Sequence, residues 1–144
     1  LERFVEHALQ HSGYELLFDH RRQMFGNREA FAGKQYGKHV YVGKTIYDTD
    51  RIVDFLIINR ELFPEGLIIE CKWQQVGGSV DEKYPFLMFN IMKTAVPTVV
   101  LLDGGGYKPA AKTWLASNAG DDRALRAVWS MSEFHREVND GLLG

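Results

Sequence analysis

The first residues of the chain place hydrophobic side chains at helical spacing. The apolar residues of this segment are Leu1, Phe4, Val5, Ala8 and Leu9. Positions three and four apart lie on one face of a helix, so the pattern predicts an amphipathic helix over residues 1–12, which Gly13 ends. Residues 18–38 mix basic residues with glycines and aromatics and predict a loop or a short helix. Residues 39–46 (HVYVGKTI) predict a strand.

Three nearly continuous apolar runs follow, a pattern typical of strands that are buried on both faces. They extend from Arg51 to Asn59 (RIVDFLIIN), from Leu67 to Trp73 (LIIECKW) and from Pro97 to Leu102. The segment ELFPEG between the first two predicts a turn, because Pro64 and Gly66 interrupt regular structure. The first two strands are therefore expected to pair antiparallel.

Helix-start signals separate the later strands. Ser79 and Glu82 have the spacing of a capping box, and the apolar run after them reaches Met92, with Pro85 near the first turn. This pattern predicts a helix between the second and third buried strands. Ser130 and Glu133 form a second capping-box pattern, which predicts the start of the last helix.

The order of elements indicates the fold class. With a short helix over residues 109–117 and a last strand over 125–129, the predicted order is α-β-β-β-α-β-α-β-α. A helix, an antiparallel meander and then alternating helices and strands give an α/β protein, with a mixed sheet between layers of helices. No repeat or boundary interrupts the chain, so we expect one domain over residues 1–144.

Composition supports an ordinary globular domain. The chain has 144 residues, of which 45% are hydrophobic and 25% charged, enough to bury a core without disulfides. Cys71, the single cysteine, fits a reducing, cytoplasmic setting or a chain that needs no disulfide. Apolar runs such as Val96 to Leu102 are too short to cross a bilayer, and no signal-peptide pattern is visible. The chain opens inside a helical pattern without an initiator Met, so upstream residues could be missing.

The overall charge bears on the class of function. The formal net charge is −2 and the isoelectric point is near 6.2. A protein that only coats nucleic acid usually carries a clear basic excess, so this balance counts mildly against a pure binding module. It is compatible with a nuclease, whose metal-binding carboxylates offset part of the basic charge that meets phosphate.

Three charged residues interrupt strands that otherwise predict burial. Asp54 lies between Val53 and Phe55, and Glu70 is followed two residues later by Lys72. Burying an ionised carboxylate costs several kcal/mol or more unless it is paired or binds a metal. Side chains alternate along a strand, so Glu70, Lys72 and Gln74 are expected on one face.

The hairpin should bring the two acids together. If the turn centres near residue 62, Asp54 lies opposite Glu70 or one step diagonal to it, about 5–8 Å away. Two carboxylates at that distance raise each other's pKa, and a divalent cation removes the penalty. A few carboxylate ligands completed by water suit Mg²⁺. Lys72, on the same face, could hold the attacking water or stabilise the charge on a phosphate.

Asp54 followed by Glu70-Cys71-Lys72 resembles the signature of the PD-(D/E)xK nuclease superfamily. The order of elements over residues 1–102 is also similar to that family's core. The runs ECKWQQVGGSVDEKYPF, GGGYKPAAKTWL and SMSEF look like those of bacterial restriction-type members. Val53 replaces the proline of the family name, at a position that varies in the superfamily.

The resemblance implies a restriction-endonuclease-like three-layer α/β/α fold with αβββαβ order, and phosphodiester hydrolysis. It implies that Asp54, Glu70 and the backbone carbonyl of Cys71 bind Mg²⁺, and that Lys72 is the catalytic lysine. The tripeptide alone is weak, because roughly one is expected by chance in a chain of this length, and Asp81-Glu82-Lys83 is a second match. The match at Asp54 and Glu70-Cys71-Lys72 is informative because these residues lie in two adjacent, otherwise apolar strands. The structural alternative is a buried Asp–Lys or Glu–Lys ion pair that holds the sheet together.

Further residues are candidates around this centre. Some superfamily members add a glutamate from the first helix, for which Glu2 and Glu6 qualify, with Glu2 slightly favoured because it borders the apolar stripe. Both also read as surface charges. Gln74 could touch the scissile phosphate or the metal's water, and Gln75 would do so if the strand bends at Gly77-Gly78. Either could equally be a polar strand end.

Basic residues could contact the phosphate backbone. The candidates are Arg21, Arg22, Lys34, Lys38, Lys44, Arg51 and, in the loop GGGYKP, Lys108. Scattered basic residues more often form a solvated face, and a plain turn is the simpler interpretation of that loop, which lacks the P-loop sequence. His7 and His11 have a zinc-compatible spacing without further ligands nearby, so they read as surface histidines.

The sequence therefore predicts a Mg²⁺-dependent endonuclease that cuts DNA, with the double-stranded form as the expected substrate and Mn²⁺ able to substitute. A restriction-type enzyme acting as a symmetric homodimer in the cytoplasm is expected, because cutting both strands of a duplex usually takes two chains. A structure-selective repair or recombination nuclease would share the same site. The alternative of another class is a nucleic-acid-binding domain that has kept the fold and lost catalysis.

Overall fold

The computed structural model describes residues 1–19, 33–74 and 83–144. Within them, helices and strands follow each other along most of the chain. The helices are α1 (Glu2–His11), α2 (Tyr84–Thr94), α3 (Pro109–Ser117) and α4 (Met131–Asn139). The strands are β1 (Glu15–Asp19), β2 (Gln35–Lys44), β3 (Asp50–Asn59), β4 (Phe63–Trp73), β5 (Thr98–Asp103) and β6 (Leu125–Trp129). None of the helices in these ranges has the length and apolar character needed to cross a membrane.

The strands form one mixed sheet whose spatial order, β1-β2-β3-β4-β5-β6, follows the sequence. β1 is parallel to β2, the β2–β3–β4 segment is an antiparallel meander, and β4, β5 and β6 are parallel. Helices cover both faces. Val5 of α1 and Phe134 of α4 pack in one cluster with Ile69, and α2 and α3 pack in another with Leu102. The predicted mixed sheet between helical layers is confirmed.

Several predicted elements match closely, and the departures have physical reasons. The helix over 109–117 and the strand over 125–129 are confirmed, as is the second capping box, in which Ser130 and Glu133 bond each other's backbone N–H. β1 was missed because a short edge strand with mostly exposed side chains shows no apolar alternation. β2 begins at Gln35, earlier than predicted. The Ser79–Glu82 capping box lies outside the described residues, and α2 is observed from Tyr84.

The turn between β3 and β4 is shorter than its composition suggested. β4 already begins at Phe63, opposite Asn59, so Pro64 belongs to the strand. Pro64 is tolerated there because the register shifts at this end of the hairpin, where a missing N–H interrupts few ladder bonds. The hairpin still centres on residue 62, since Phe55 pairs with Ile69 and Ile57 with Leu67.

Two features of the meander position the polar residues of β3 and β4. The pairing of β3 with β4 stops at Phe55 and Ile69, although β3 continues along β2 and β4 continues along β5. The two strands therefore separate at the next position, which holds Asp54 on β3 and Glu70 on β4. We call this point the fork.

The side chains of β2 and β3 also change faces at the fork. Phe55 of β3 and Tyr36 of β2 pack with α1, whereas Val53 and Val40 pack in the cluster on the other face. The pairing register is unchanged, with Lys38 opposite Phe55 and Val40 opposite Val53. The alternation of side chains between the two faces of the sheet therefore shifts by one residue at His39 and Asp54, which lie between these pairs. We call this the face change.

The end of β4 is fixed against the loop after β5 by a close backbone approach. Gly104 has φ +102°, and a Cβ at this position would lie 2.4 Å from the carbonyl oxygen of Gln74. The Gln74 backbone also donates to Asp103 and accepts from Gly106. Only glycine fits at residue 104, because both its conformation and the lack of space exclude a side chain.

We predict that Gly104→Ala destabilises the protein more than Gly105→Ala, the matched control. Gly105 also has positive φ, +76°, but no atom of the described residues lies within 4 Å of an added Cβ. The control should lose about 1 kcal/mol from the left-handed backbone alone, and Gly104→Ala clearly more. Urea unfolding of both variants measures the difference; equal losses would contradict the close-approach argument.

Candidate active site

Asp54 and Glu70 meet at the fork through hydrogen bonds that replace the sheet ladder. The backbone N–H of Asp54 donates to Glu70 Oε1 at 3.3 Å, and the backbone N–H of Cys71 donates to Asp54 Oδ2 at 2.7 Å. Each acid thus binds the strand that carries the other. Lys72 Nζ lies 3.7 Å from Glu70 Oε2. The structure brings these three predicted residues together, and it does so because β3 and β4 have just separated.

Burial makes this arrangement electrostatically costly. Glu70 is 5% exposed and Asp54 is partly buried. Burial, and next the negative charge of Glu70, raise the pKa of Asp54 to about 7. Burial, and then the nearby charge of Asp54, also raise the pKa of the Cys71 thiol, so this side chain is uncharged in the metal-free protein.

The cations around the fork do not compensate both acids. Lys72 is 39% exposed and lies beyond hydrogen-bond distance of Glu70. Arg51 is buried on β3 and donates through Nη1 to Thr94 Oγ1 at 2.6 Å, and its Nη2 has no hydrogen-bond partner within residues 1–19, 33–74 and 83–144. Burial lowers the pKa of Arg51, while the charge of Glu70 opposes that shift. Arg51 therefore favours the charge of Glu70, and its burial does not favour the expected contact with phosphates.

A second group of ligand-type side chains adjoins Asp54. Carboxylate oxygens of Glu2 and Asp54 and a ring nitrogen of His39 all lie within 4.8 Å of one another. His39 Nε2 is 3.6 Å from Glu2 Oε2, and its Nδ1 is 2.7 Å from Asp19 Oδ1. Among the described residues this is the one group of three or more such side chains with metal-compatible spacing. Asp54 thus has Glu70 as one neighbour and Glu2 with His39 as others.

His39 was missed in the sequence because a lone histidine in a strand carries little signal. Its proximity to Asp54 depends on the β2–β3 register and on the face change, and neither can be read from composition or spacing. The one hint in the sequence was that His39, a residue that can carry charge or bind metal, precedes the apolar positions Val40 and Val42.

The two candidate glutamates of α1 have different surroundings. Glu6 accepts hydrogen bonds from the Tyr36 hydroxyl at 2.7 Å and from Lys38 Nζ at 3.0 Å. Burial would raise the pKa of Glu6, but these two bonds outweigh it and lower that pKa. Glu6 is therefore engaged with β2, and Glu2 is the helix glutamate that the structure places beside Asp54.

Comparison with known families agrees with this geometry. The model of the PD-(D/E)XK nuclease superfamily domain matches residues 1–142. The chain belongs to the PD-(D/E)XK nuclease superfamily. No curated protein and no solved structure matches it significantly. Nucleases of this superfamily act on nucleic acid and use divalent metal ions.

The donor set of this nuclease fits a divalent ion. Asp54 and Glu70 are oxygen donors whose mutual repulsion a cation would relieve, and Glu2 and His39 offer further ligand atoms. The backbone of Cys71 adjoins Asp54, as its hydrogen bond shows. Asp54, Glu70 and the Cys71 carbonyl are the ligands that the resemblance implies, and Glu2 is one of its two candidate helix glutamates.

Gln74 is engaged through both ends of its side-chain amide. It is 4% exposed, its Nε2 donates to the Gly106 carbonyl at 3.1 Å, and its Oε1 accepts from the Tyr84 hydroxyl at 2.8 Å. Both ends of the amide are thus bound to the loop after β5 and to α2. This placement favours an anchoring role for β4 over contact with substrate.

The basic candidates are scattered over the structure. Lys44 lies 2.6 Å from Asp50 Oδ1, Lys38 is bound to Glu6, and Lys34 donates to the carbonyls of Ser12 and Gly144. Lys108 is exposed at the start of α3. Arg21, Arg22 and Gln75 lie outside the described residues. The rings of His7 and His11 stack on exposed positions of α1 and do not belong to the ligand group.

We predict that Asp54→Asn stabilises the metal-free protein at pH 8. The folded-state pKa of Asp54, about 7, exceeds its ordinary value of 3.8. The protonated form is thus favoured by folding, and stability falls as pH rises from about 4 to 7. Above pH 7 the full penalty applies, on the order of 4 kcal/mol, and asparagine removes it while still accepting from Cys71.

Urea unfolding at pH 4.5 and 8 with EDTA measures this effect. The advantage of Asp54→Asn should shrink at the lower pH, while the control Asp50→Asn, at an exposed position, should show little pH dependence. A variant less stable than the wild type at pH 8 would contradict the electrostatic account.

Proposed function

We propose that this nuclease is a metal-dependent endonuclease that hydrolyses DNA phosphodiester bonds. The observation that carries the proposal is the fork, where Asp54 with a raised pKa and buried Glu70 lie beside the partly exposed amine of Lys72. Strongly perturbed carboxylates next to a charged partner are typical of functional sites. Lys72 forms an ion pair with Glu70 at 3.7 Å, but the pKa of Asp54 stays raised, so this pair does not compensate both acids.

The metal ligands would be Asp54, Glu70 and the backbone carbonyl of Cys71, with Glu2 as the contribution of α1. Carboxylate and carbonyl oxygens suit Mg²⁺, and Mn²⁺ is expected to substitute. When bound, the ion supplies a Lewis acid that activates water and offsets negative charge on the phosphate.

Lys72 has the position of a residue that acts on the attacking water and the phosphate. Its stem follows β4 on the same face as Glu70, and the 3.7 Å between its Nζ and Glu70 Oε2 leaves the ammonium able to donate elsewhere. Donors fixed at the reacting phosphate stabilise the charge that develops there. Glu70 in turn keeps the ammonium near the fork.

The surroundings leave room for substrate on this face. A cavity of about 320 Å³ extends from Glu70 and Lys72 toward α2 and also contacts Arg51 and Lys83. Its size, the partly exposed side chain of Lys72 and the exposed side chain of Lys83 suit a sugar-phosphate unit. A larger cavity, about 580 Å³, lies at the other end of β4 beside Phe63 and Leu67 and is lined by none of the proposed catalytic residues.

The biological setting is part of the proposal. A restriction-type enzyme acting on double-stranded DNA as a homodimer in the cytoplasm is the preferred assignment, resting on the resemblance of the sequence runs. A structure-selective repair or recombination nuclease would use the same fork. An inactive nucleic-acid-binding domain would have no need for Asp54, Glu70 and Lys72 together.

We predict that wild-type protein cuts supercoiled plasmid DNA with Mg²⁺ or Mn²⁺ and not with EDTA. Asp54→Asn, Glu70→Gln and Lys72→Met should each slow cutting by at least about 100-fold, since each removes a group that contacts the metal or the reacting phosphate. The control Glu61→Gln, an exposed acid of the β3–β4 turn, should cut like wild type.

Gel electrophoresis of the products also distinguishes the assignments. Discrete linear fragments indicate a sequence-specific restriction enzyme, and cutting confined to branched DNA indicates the structure-selective alternative. Binding of DNA without cutting on duplex, branched and single-stranded substrates, unchanged by metal or by these variants, would reject the nuclease proposal.

Lys44 and Lys108 remain proposed DNA contacts, for which we predict different strengths. Lys108→Ala should weaken binding similarly for unrelated sequences and reduce the slope of log affinity against log salt by about 0.9, the effect of losing one phosphate contact. Lys44→Ala should do less, because Asp50 already offsets its charge. Fluorescence anisotropy in Ca²⁺ at several salt concentrations measures both; unchanged slopes would remove these lysines from the interface.

A further inference from the structure

His39 has an unusual backbone for a side chain in a strand. Its φ is +52°, in the left-handed region that non-glycine residues rarely adopt. This conformation coincides with the face change, so Val40 joins the cluster opposite α1 while the imidazole of His39 lies near Glu2 of α1. The strained backbone thus brings the imidazole to Asp54.

A carboxylate orients the ring. Asp19 Oδ1 lies 2.7 Å from Nδ1, which puts a proton on Nδ1 and directs Nε2 to the opposite side of the ring. Nε2 is the atom that lies 3.6 Å from Glu2. Histidine ligands of metals usually donate their second N–H to a carboxylate in this way, because it fixes the tautomer and makes the ligating nitrogen more basic.

We propose that His39 Nε2 is a ligand of the divalent ion, and that it makes the site bind a first-row transition-metal ion such as Mn²⁺ or Co²⁺ more tightly than Mg²⁺. The ligand atoms of Glu2, His39 and Asp54 already lie within 4.8 Å of one another. Imidazole nitrogen suits transition metals, whereas Mg²⁺ favours oxygen donors and retains its water. This inference rests on the proposed metal-dependent function and deepens it, since Mn²⁺ becomes the better-bound ion.

A purely structural role for His39 predicts something different. A protonated imidazole could join Asp19 and Glu2 as an ion bridge, and its loss would then affect stability alone. A metal ligand must instead change metal affinity and give a nitrogen signal from the bound ion. Metal binding without DNA separates the two roles.

The test compares wild type with His39→Asn, Asp19→Asn and Asp54→Asn. Asparagine tolerates a left-handed backbone, so His39→Asn removes the imidazole without adding strain. His11→Ala, at an exposed histidine of α1, is the matched control. Isothermal titration with Mn²⁺, Co²⁺ and Mg²⁺ gives the affinities, and pulsed EPR of bound Mn²⁺ detects coupling to a ¹⁴N ligand.

We predict that His39→Asn lowers Mn²⁺ and Co²⁺ affinity by about 10- to 100-fold and changes Mg²⁺ affinity by less than about threefold. Asp19→Asn should lower Mn²⁺ affinity less, since it only releases the ring. Nitrogen coupling should be present in wild type and His11→Ala. If His39→Asn fails to fold, the presence or absence of ¹⁴N coupling to Mn²⁺ bound to the wild type still decides whether a nitrogen ligand is present.

The outcomes separate this inference from the proposed function. Mn²⁺ binding that is lost in Asp54→Asn but unchanged in His39→Asn, without nitrogen coupling, would overturn the role of His39 and leave the nuclease site intact. If no divalent ion binds the wild type, or binding ignores Asp54, the proposed metal-dependent function fails as well.

Discussion

Desolvation of two neighbouring carboxylates is the constraint on which the rest of this site depends. The apolar residues that bury β3 and β4 also bury Glu70 and much of Asp54, and the pKa of Asp54 rises to about 7 as a result. Such a costly pair of buried acids persists only where several contacts of the surrounding fold hold it in place. Here the fold supplies backbone N–H donors from each strand to the acid of the other, which keeps both carboxylates in place before any cation arrives.

The fork and the face change explain why a flat, regular sheet could not hold this arrangement. With continued β3–β4 pairing, the backbone N–H groups of Asp54 and Cys71 would serve the ladder and not the side chains. With regular alternation along β2, His39 would lie away from Glu2. The local irregularities are therefore part of the site, while the flanking strands and helices are ordinary, well-packed structure. The buried guanidinium of Arg51 supports Glu70 from the α2 side.

The sequence predicted what depends on periodicity and missed what depends on tertiary contact. The apolar runs around Asp54 and Glu70, and a turn centred near residue 62, were sufficient to predict that these acids meet. The capping box at Ser130 could likewise be read directly. Asp19 and His39 could not, because β1 is an exposed edge strand and a positive φ leaves no trace in composition. Gln74 was assigned to the site by face alone, and its bonds to Tyr84 and Gly106 form only once α2 and the loop after β5 have packed.

The most direct measurement of the central claim is a ¹³C NMR titration of the Asp54 and Glu70 carboxyl groups with and without a divalent ion. The account predicts that Asp54 titrates near pH 7 in EDTA. Mn²⁺-free Mg²⁺ or diamagnetic Zn²⁺ at saturating concentration should lower its apparent pKa, because the cation offsets the repulsion between the two carboxylates. An Asp54 that titrates near its ordinary value of 3.8 and does not respond to any divalent ion would contradict it.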